Sequence, residues 1–357
     1  MVRSYLPPEG HIIQAFTFAL DPTLEQTAQI ARFFGARRFA FNWTLAQITA
    51  DLDHYRETGE SRTPPTFYGL RKHWNAEKDT VCVNAETGDV WWPEISKEVF
   101  ADGVRGATDA YLRWQKSRSG KIAGRRVGFP RFKKRGKDRD RFSFSTGVMR
   151  LEPDRRHLTL PVLGTLRTHE NTRRIERLIA LGRAKILGVT VSRQGGRIVA
   201  AVRVSVARPQ QAGVAQPDSV VGVDVGVRRL ATVATTNEVI GELANPKALE
   251  RRLSELRRLQ RQRCRRTRGS RQYAQTATKI TRLHAEVAHV RQHTIHVFTT
   301  TLAKTHGAIV VEGLDAASLR NRKASPVHVR AGVGFLTQHW ERSAVIFSTS
   351  APGTGPG

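Results

Sequence analysis

Apolar and polar positions alternate along residues 11–20, "HIIQAFTFAL", and a period of two predicts a strand. Asp21-Pro22-Thr23 then reads as a helix start, with Asp21 or Thr23 as N-cap and Pro22 suited to the first turn. The helix expected over about 24–54 carries Ile30, Phe33, Phe34, Phe41, Leu45 and Ile48 at helical spacing. Its "RRFAFNWTLAQI" stretch joins basic and aromatic residues. A core stripe accounts for the aromatics and leaves Arg37 and Arg38 toward solvent or phosphate. Residues 59–93 read as loop-rich, with Pro64-Pro65, a turn at "ETGD" and Trp91-Trp92-Pro93. A second helix is expected over 94–118, with Val99, Val104, Ala107, Tyr111 and Trp114 on its apolar face.

From 146 to 207 the pattern is β, and "RQGGR" suits a hairpin turn. Several short strands with turn signals suggest a small barrel or sandwich. Residues 208–219, "RPQQAGVAQPDS", have linker composition. A valine strand follows at 220–227, then "RLATVAT", a turn at "TNE" and a short strand at "VIGEL". Residues 246–306 are helical in pattern, broken near "RTRGS", with Leu249, Leu253, Leu256 and Leu259 in one stripe. "GAIVVEGLDAASL", 307–319, reads as a buried strand ending in a carboxylate.

Charge changes this picture most. The 357 residues hold 59 Lys and Arg against 31 Asp and Glu, a formal net charge of +28. Such a balance points to a polyanionic partner, because the self-repulsion needs counterions. Nucleic acid is favoured over an anionic membrane surface, which would call for an amphipathic basic helix. No apolar run is long enough to span a bilayer and no signal-peptide pattern opens the chain, so the cytoplasm is the expected location.

The cations cluster. Residues 121–141 hold ten of them, including Arg125, Arg126, Arg131, Lys133, Lys134, Arg135 and Lys137, against Asp138 and Asp140. Phe129, Phe132, Phe142 and Phe144 are interleaved, as base-stacking rings would be, or as pins for a solvated loop. A second cluster between Lys247 and Arg271 includes Arg257, Arg258, Arg261, Arg265 and Arg266.

Two acids stand out against this background. In "VVGVDVGVRRLATVA" the alternation puts Val221, Val223, Val225 and Val227 on one face, and Gly222, Asp224 and Gly226 on the other. Glu312 shares a face with Ala308 and Val310. If the two strands are parallel neighbours, both acids emerge at the carboxyl edge of one sheet, where ligands of open α/β sheets bind. Clustered carboxylates repel unless a cation lies between them, and hard oxygen donors suit Mg²⁺ or Mn²⁺. In phosphodiester cleavage two such ions hold the attacking water and the leaving oxygen. The competing reading is structural: Asp224 as a turn cap, and Glu312 paired with an arginine.

Other chemistry is weaker. His289, His293 and His296 share a helical face without a third strong ligand or an HExxH pattern. Cys82 and Cys264 are far apart and no CxxC occurs, which excludes a disulfide framework or zinc site of known spacing within the chain. P-loop and GxSxG motifs are missing too.

Together, "FAFNWTLAQI", "GFPRFKKRGKDRDRFSFS", "VVGVDVGVRRLATVA" and "AIVVEGL" resemble the TnpB family, the OrfB-type proteins of bacterial insertion sequences, over about residues 10–334. The resemblance implies an α+β multidomain protein. Its small β-barrel, the wedge-like domain, would comprise residues 1–22 with 121–207. A helical recognition insert with helix-turn-helix-like character would span 23–120. After the 208–219 linker, an RNase H-like (RuvC) α/β nuclease domain would occupy 220–334, incomplete, with an unstructured tail at 335–357. It further implies an RNA-guided DNA endonuclease linked to transposition. Guide RNA and DNA would be partners of a monomeric ribonucleoprotein, bacterial, cytoplasmic and nucleoid-associated. Base pairing would read the target, while the protein holds the backbone and a short adjacent motif. Asp224 and Glu312 would be the first and second catalytic carboxylates, both binding Mg²⁺.

The sequence departs from the family at its end. The family carries a CxxC…CxxC zinc module and then a third Asp, and neither occurs here. After Glu312 the only acids are Asp315 and Glu341. A frameshift or premature end is the expected origin of "TQHWERSAVIFSTSAPGTGPG". Loss of a third ligand implies weak or absent cleavage, since even a residue that only supports a ligand is worth about 10–100-fold in metal affinity or activity. Two further readings follow: a nuclease-inactive nucleic-acid-binding protein, or a decayed transposase fragment.

Overall fold

The computed structural model describes residues 5–60, 65–145, 148–207, 214–226 and 229–311. It divides into two compact units, Met1–Pro209 and Gln210–Gly357. Glu312, the rest of the expected nuclease segment to 334 and the tail 335–357 lie outside the described residues.

The first unit opens with strand β1 (His11–Asp21) and helix α1 (Leu24–Thr58). Thr23 caps α1: its side chain accepts from the Gln26 N–H while the Gln26 side chain accepts from the Thr23 N–H. Helix α2 (Phe67–Val81) lies within the stretch that reads as loop-rich. Thr66 caps it, and Leu70 and Trp74, one turn apart, are its buried pair. The flanking prolines, glycines and polar residues hide that two-residue stripe from a periodicity reading. A short 3₁₀ turn at Trp92–Glu94 leads into α3 (Lys97–Arg118), capped by Ser96. Gly103 makes the α1–α3 crossing possible, because a Cβ there would sit 2.6 Å from the Arg37 carbonyl oxygen and 2.7 Å from Ala40 Cβ.

Strands β2 (Arg141–Phe144), β3 (Arg150–Leu151), β4 (His157–Leu160) and β5 (Gly164–Thr168) follow. After them come the short helix α4 (Arg173–Ala180), β6 (Ala184–Gln194) and β7 (Arg197–Ala207). They form one sheet in the order β2-β6-β7-β1-β5-β4-β3, with antiparallel neighbours. Gly195 (φ 57) and Gly196 (φ 82) make the β6–β7 turn, where positive φ at both central residues favours glycine.

This sheet is open, which corrects the expected barrel: β2 and β3 are its two edges and do not pair among the described residues. Helix α1 supplies the cover that closure would have given. Phe142 and Phe144 of β2 are buried against it, with ring centroids 5.3 and 6.5 Å from Phe33. The same cluster joins Phe18, Leu166, Val191 and Val202 into one core between sheet and helices.

The second unit contains β8 (Gln216–Asp224), β9 (Arg229–Ala234), β10 (Val239–Ala244), α5 (Ala248–Cys264), α6 (Arg271–Thr305) and β11 (His306–Val311). The sheet order is β10-β9-β8-β11, with β8 and β11 parallel and the other pairs antiparallel. β8 begins at Gln216, inside the stretch that reads as linker, because its first partner is His306 of a strand far along the chain. Helix α6 covers one sheet face, with Leu302 and Phe298 on Val221, Val223, Ala231 and Val233. Its first half pairs with α5 through Leu256, Leu259, Ile280, Leu283 and Val287. No described helix is long and apolar enough to cross a membrane.

Candidate functional site

Alternation along β8 works as the sequence suggests. Val221 and Val223 point into the core, while Val220, Gly222 and Asp224 occupy the opposite, open face. β11 shares that division: Val310 is 61% exposed and Val220 56%. The strand expected to be buried therefore has one wet face. Parallel pairing sets Val310 opposite Gly222 and Val311 opposite Val223. Asp224, the last residue of β8, is opposite Thr232 of β9.

A hollow of about 520 Å³ forms on this open face, lined by Val220, Gly222, Asp224, Thr232, Thr235 and Val310 among others. Gly222 keeps it clear. A Cβ at that position would meet only the Ala234 carbonyl, at 3.8 Å, so a larger residue would fit there and would occupy the hollow. Gly226 differs: a Cβ there would lie 2.8 Å from the Arg229 carbonyl oxygen, so the turn after β8 needs the glycine. Asp224 is exposed and has no hydrogen-bond or ion-pair partner among the described residues, which leaves both oxygens available. It is not capping the turn.

Glu312 is the residue after Val311 in sequence and lies outside the described residues. Among the described residues no group of three or more His, Cys, Asp or Glu could hold a metal ion. On this face the described residues carry Asp224 and, one strand beyond Thr232, Glu242, which is already paired with Arg229; one free carboxylate alone does not make a divalent-cation site. His289, His293 and His296 are exposed along α6 and belong to no such group.

The basic residues sort into structural and free. Arg37 corrects the expectation of a solvent-facing side chain: it is 8% exposed, and its Nε donates to Asp102 Oδ2 at 2.9 Å, tying α1 to α3. Arg38 pairs with Asp140 at 2.6 Å, and Arg193 reaches the same carboxylate at 3.4 Å. Lys133 Nζ is 3.1 Å from Asp138. Asp138 also accepts from the Lys134 N–H at 2.7 Å; that bond first, then Lys133, holds its carboxyl below the ordinary range. Arg125, Arg126, Arg131, Lys134, Arg135 and Lys137 are exposed.

Segment 121–140 has no helix or strand, yet it is held firmly. The Asn42 side chain donates to the Lys133 carbonyl (3.0 Å) and accepts from the Lys133 N–H (2.7 Å), as a neighbouring strand would. Phe129 packs edge-on against Trp114 at 5.1 Å. Phe142 and Phe144 belong to the core. Of the four phenylalanines, Phe132, 53% exposed, is the one left to meet a base.

In the second unit Arg257, Arg258, Arg261 and Arg265 are exposed on the side of α5 away from Leu256 and Leu259. Arg266 bonds instead to the Gln272 carbonyl and Thr276. Sequence reasoning missed Asn42, whose sign is a poor helix former amid aromatic residues. It also missed Arg139 and Arg141, which line a cavity of about 360 Å³ with Arg38, Phe41, Arg131 and Lys133.

An open α/β sheet with an unpaired strand-end carboxylate, and exposed arginines in both units, places the chain among basic proteins built to meet polyanions. Residues 201–323 match the OrfB family of IS605-type elements, described as "Probable transposase", and residues 12–57 match that family's "Helix-turn-helix domain". The "Putative RNA-guided DNA endonuclease Rv2885c" of Mycobacterium tuberculosis (strain ATCC 25618 / H37Rv) is 59% identical over 320 residues, 89% of this chain and 70% of that protein. The "Putative RNA-guided DNA endonuclease InsQ" of Escherichia coli (strain K12) is 30% identical over 339 residues, 92% of this chain and 75% of that protein. A cryo-EM structure of a Cas12f1–sgRNA–target DNA complex is similar with a TM-score of 0.42 and 15% identity, covering 94% of this chain and 87% of that one. The chain belongs to this OrfB (TnpB-like) transposase family. Its helix-turn-helix match folds here as one strand and one unbroken helix, β1 and α1.

Proposed function

We propose that this protein binds a guide RNA and DNA, and that its chemistry is the RNA-guided DNA cleavage that its relatives' names describe. The observation that carries the reading is the β8–β11 register. Val223 and Val311 are direct partners, and the next residues in sequence are Asp224 and Glu312. In this reading β8–β11 with α5 and α6 form an RNase H-like (RuvC-like) domain, and the first unit supplies wedge-like and recognition parts. Asp224 and Glu312 would be the carboxylate ligands of Mg²⁺ or Mn²⁺, which when bound supplies Lewis-acid polarisation of a phosphodiester. Asp224 contributes two free carboxylate oxygens at a hollow that Gly222 keeps open to a strand backbone. Arg125, Arg126, Arg131, Lys134, Arg135, Lys137, Arg257, Arg258, Arg261 and Arg265 would contact phosphates. Arg37, Arg38, Lys133 and Arg266 would act there mainly by holding the fold. The assembly is proposed as a monomeric ribonucleoprotein in a bacterial cytoplasm.

Purifying the protein with its co-expressed RNA and sequencing that RNA identifies the guide. Magnesium-dependent cutting of a matching DNA, lost in Asp224→Ala while RNA binding persists, is the expected result. Cutting that survives Asp224→Ala would overturn the site.

A further inference from the structure

The cavity of about 360 Å³ between α1, α3 and residues 130–141 has a charge pattern that the fold does not use. Six cations line it, with two acids, Asp138 and Asp140. Both acids are already engaged: Asp138 holds Lys133 and the Lys134 N–H, and Asp140 holds Arg38 and Arg193. The third wall cation, Arg37, is matched by Asp102 behind it. Arg131, Arg139 and Arg141 remain, and none has a hydrogen-bond or ion-pair partner among the described residues. Three guanidinium groups thus line one hollow whose two carboxylates are bonded to other cations, and Arg131 meets Asp138 only through space.

That arrangement costs repulsion unless something anionic enters. Guanidinium forks match the oxygens of a phosphate, and three of them oversupply a carboxylate. The hollow is large enough for a small ligand rather than a water alone. It is also preformed, since Asn42 fixes the backbone at Lys133 and Asp138 fixes it at Lys134. A ligand there need not bear the cost of ordering the loop.

We propose that this cavity is a seat for a single phosphate of a nucleic-acid strand, held by Arg131, Arg139 and Arg141. Arg37, Arg38 and Lys133 are its fixed wall. The proposal rests on the reading that the chain binds nucleic acid, and adds that one phosphate is gripped in a pocket rather than tracked along a surface. The phosphate is either an internal phosphodiester or a strand's 5′-terminal monoester.

The test titrates the full chain with an unstructured single-stranded RNA, 5′-hydroxyl or 5′-phosphorylated, across a salt series. Each phosphate contact on a single strand contributes about 0.7 to the slope of log affinity against log salt. Arg139→Gln should lower the slope by up to about 0.7. The triple variant Arg131→Gln/Arg139→Gln/Arg141→Gln should lower it by about 0.7 in total, because one phosphate is shared. Arg139→Lys should retain most of the slope with weaker binding. A gain from the 5′-phosphate that vanishes in the triple variant assigns the terminal source, and equal binding of both RNAs assigns the internal one. An unchanged slope in a triple variant that melts like the parent overturns the seat, as does a loss of about 2, which means three separate surface contacts. Failure of the unaltered chain to bind any RNA or DNA removes the nucleic-acid reading and the seat with it.

Discussion

Val223 and Val311 are direct partners in a parallel strand pair, although they stand 88 residues apart in sequence, with β9, β10, α5 and α6 between them. The register, rather than either strand alone, brings the candidate edge into being. Neighbouring strands lie about 4.8 Å apart, within the Cα range of a disulfide. In a Cys264→Ser background, Gly222→Cys with Val310→Cys should cross-link under mild oxidation. Gly222→Cys with Ala308→Cys, two residues out of register, should not. Preferential linking of the offset pair, read by non-reducing electrophoresis, would show the register to be wrong.

Gly222 and Gly226 should respond oppositely to added side chains. Gly222→Ala is expected to hold or raise stability by up to about 1 kcal/mol, as glycine is a poor strand interior residue. Gly222→Leu should keep the fold but fill the hollow beside Asp224 and suppress cleavage. Gly226→Ala should lower the melting temperature, because its Cβ meets backbone. Thermal melts of the three variants decide it, and equal loss in all three contradicts the division.

Asn42→Ala removes both bonds to the Lys133 backbone. Leaving half-buried donors and acceptors unmet costs about 1–3 kcal/mol each at most. The local effect should exceed the global one: trypsin should cut within 121–141 many times faster, with a modest change in melting temperature. Asn42→Asp keeps the acceptor and should fall between. Identical digestion of all three proteins would remove Asn42 from its clamping role.

Asp138 titrates below the ordinary carboxylate range, chiefly through the Lys134 N–H and then Lys133. A depressed folded value means stability that is present above the unfolded value of about 3.9 and lost as pH falls through the folded one. Asp138→Asn should therefore melt lower than the parent at neutral pH, and the gap should narrow as the pH drops below about 4. A gap that widens in acid reverses the sign and refutes the assignment.

The two thiols should separate cleanly. Burial first, with Asp79 nearby, pushes the Cys82 thiol up to about 11, and its side chain is fully covered. Cys264 is exposed. A thiol reagent at mildly alkaline pH should label one cysteine per native chain and two after denaturation. Labelling of Cys82 at the rate of Cys264 would mean that the aromatic core around it opens readily.

Much of this was legible in the residues. The capping box at Thr23, the stripe of α1 and the two faces of β8 are local patterns, and local physics decides them. What escaped was set at a distance. α2 shows only Leu70 and Trp74 to the core, too little for periodicity among turn signals. The start of β8 depends on His306, and Arg37 depends on Asp102 in another helix. Charge predicts contact with a polyanion, but not which guanidinium groups the fold has already claimed. Arg139 and Arg141 became interesting only when their neighbours proved to be paired.

The β8–β11 pairing also sets a clock. Asp224 leaves the ribosome 87 residues ahead of Val311. At about 5–20 residues per second that is an interval of roughly 4–17 s. During it β8 has only its hairpin neighbour β9, and its other edge hangs unpaired. The Asp224 edge is thus among the last of the described parts of the second unit to be assembled in a growing chain, and the arginines of the first unit are in place before that edge exists.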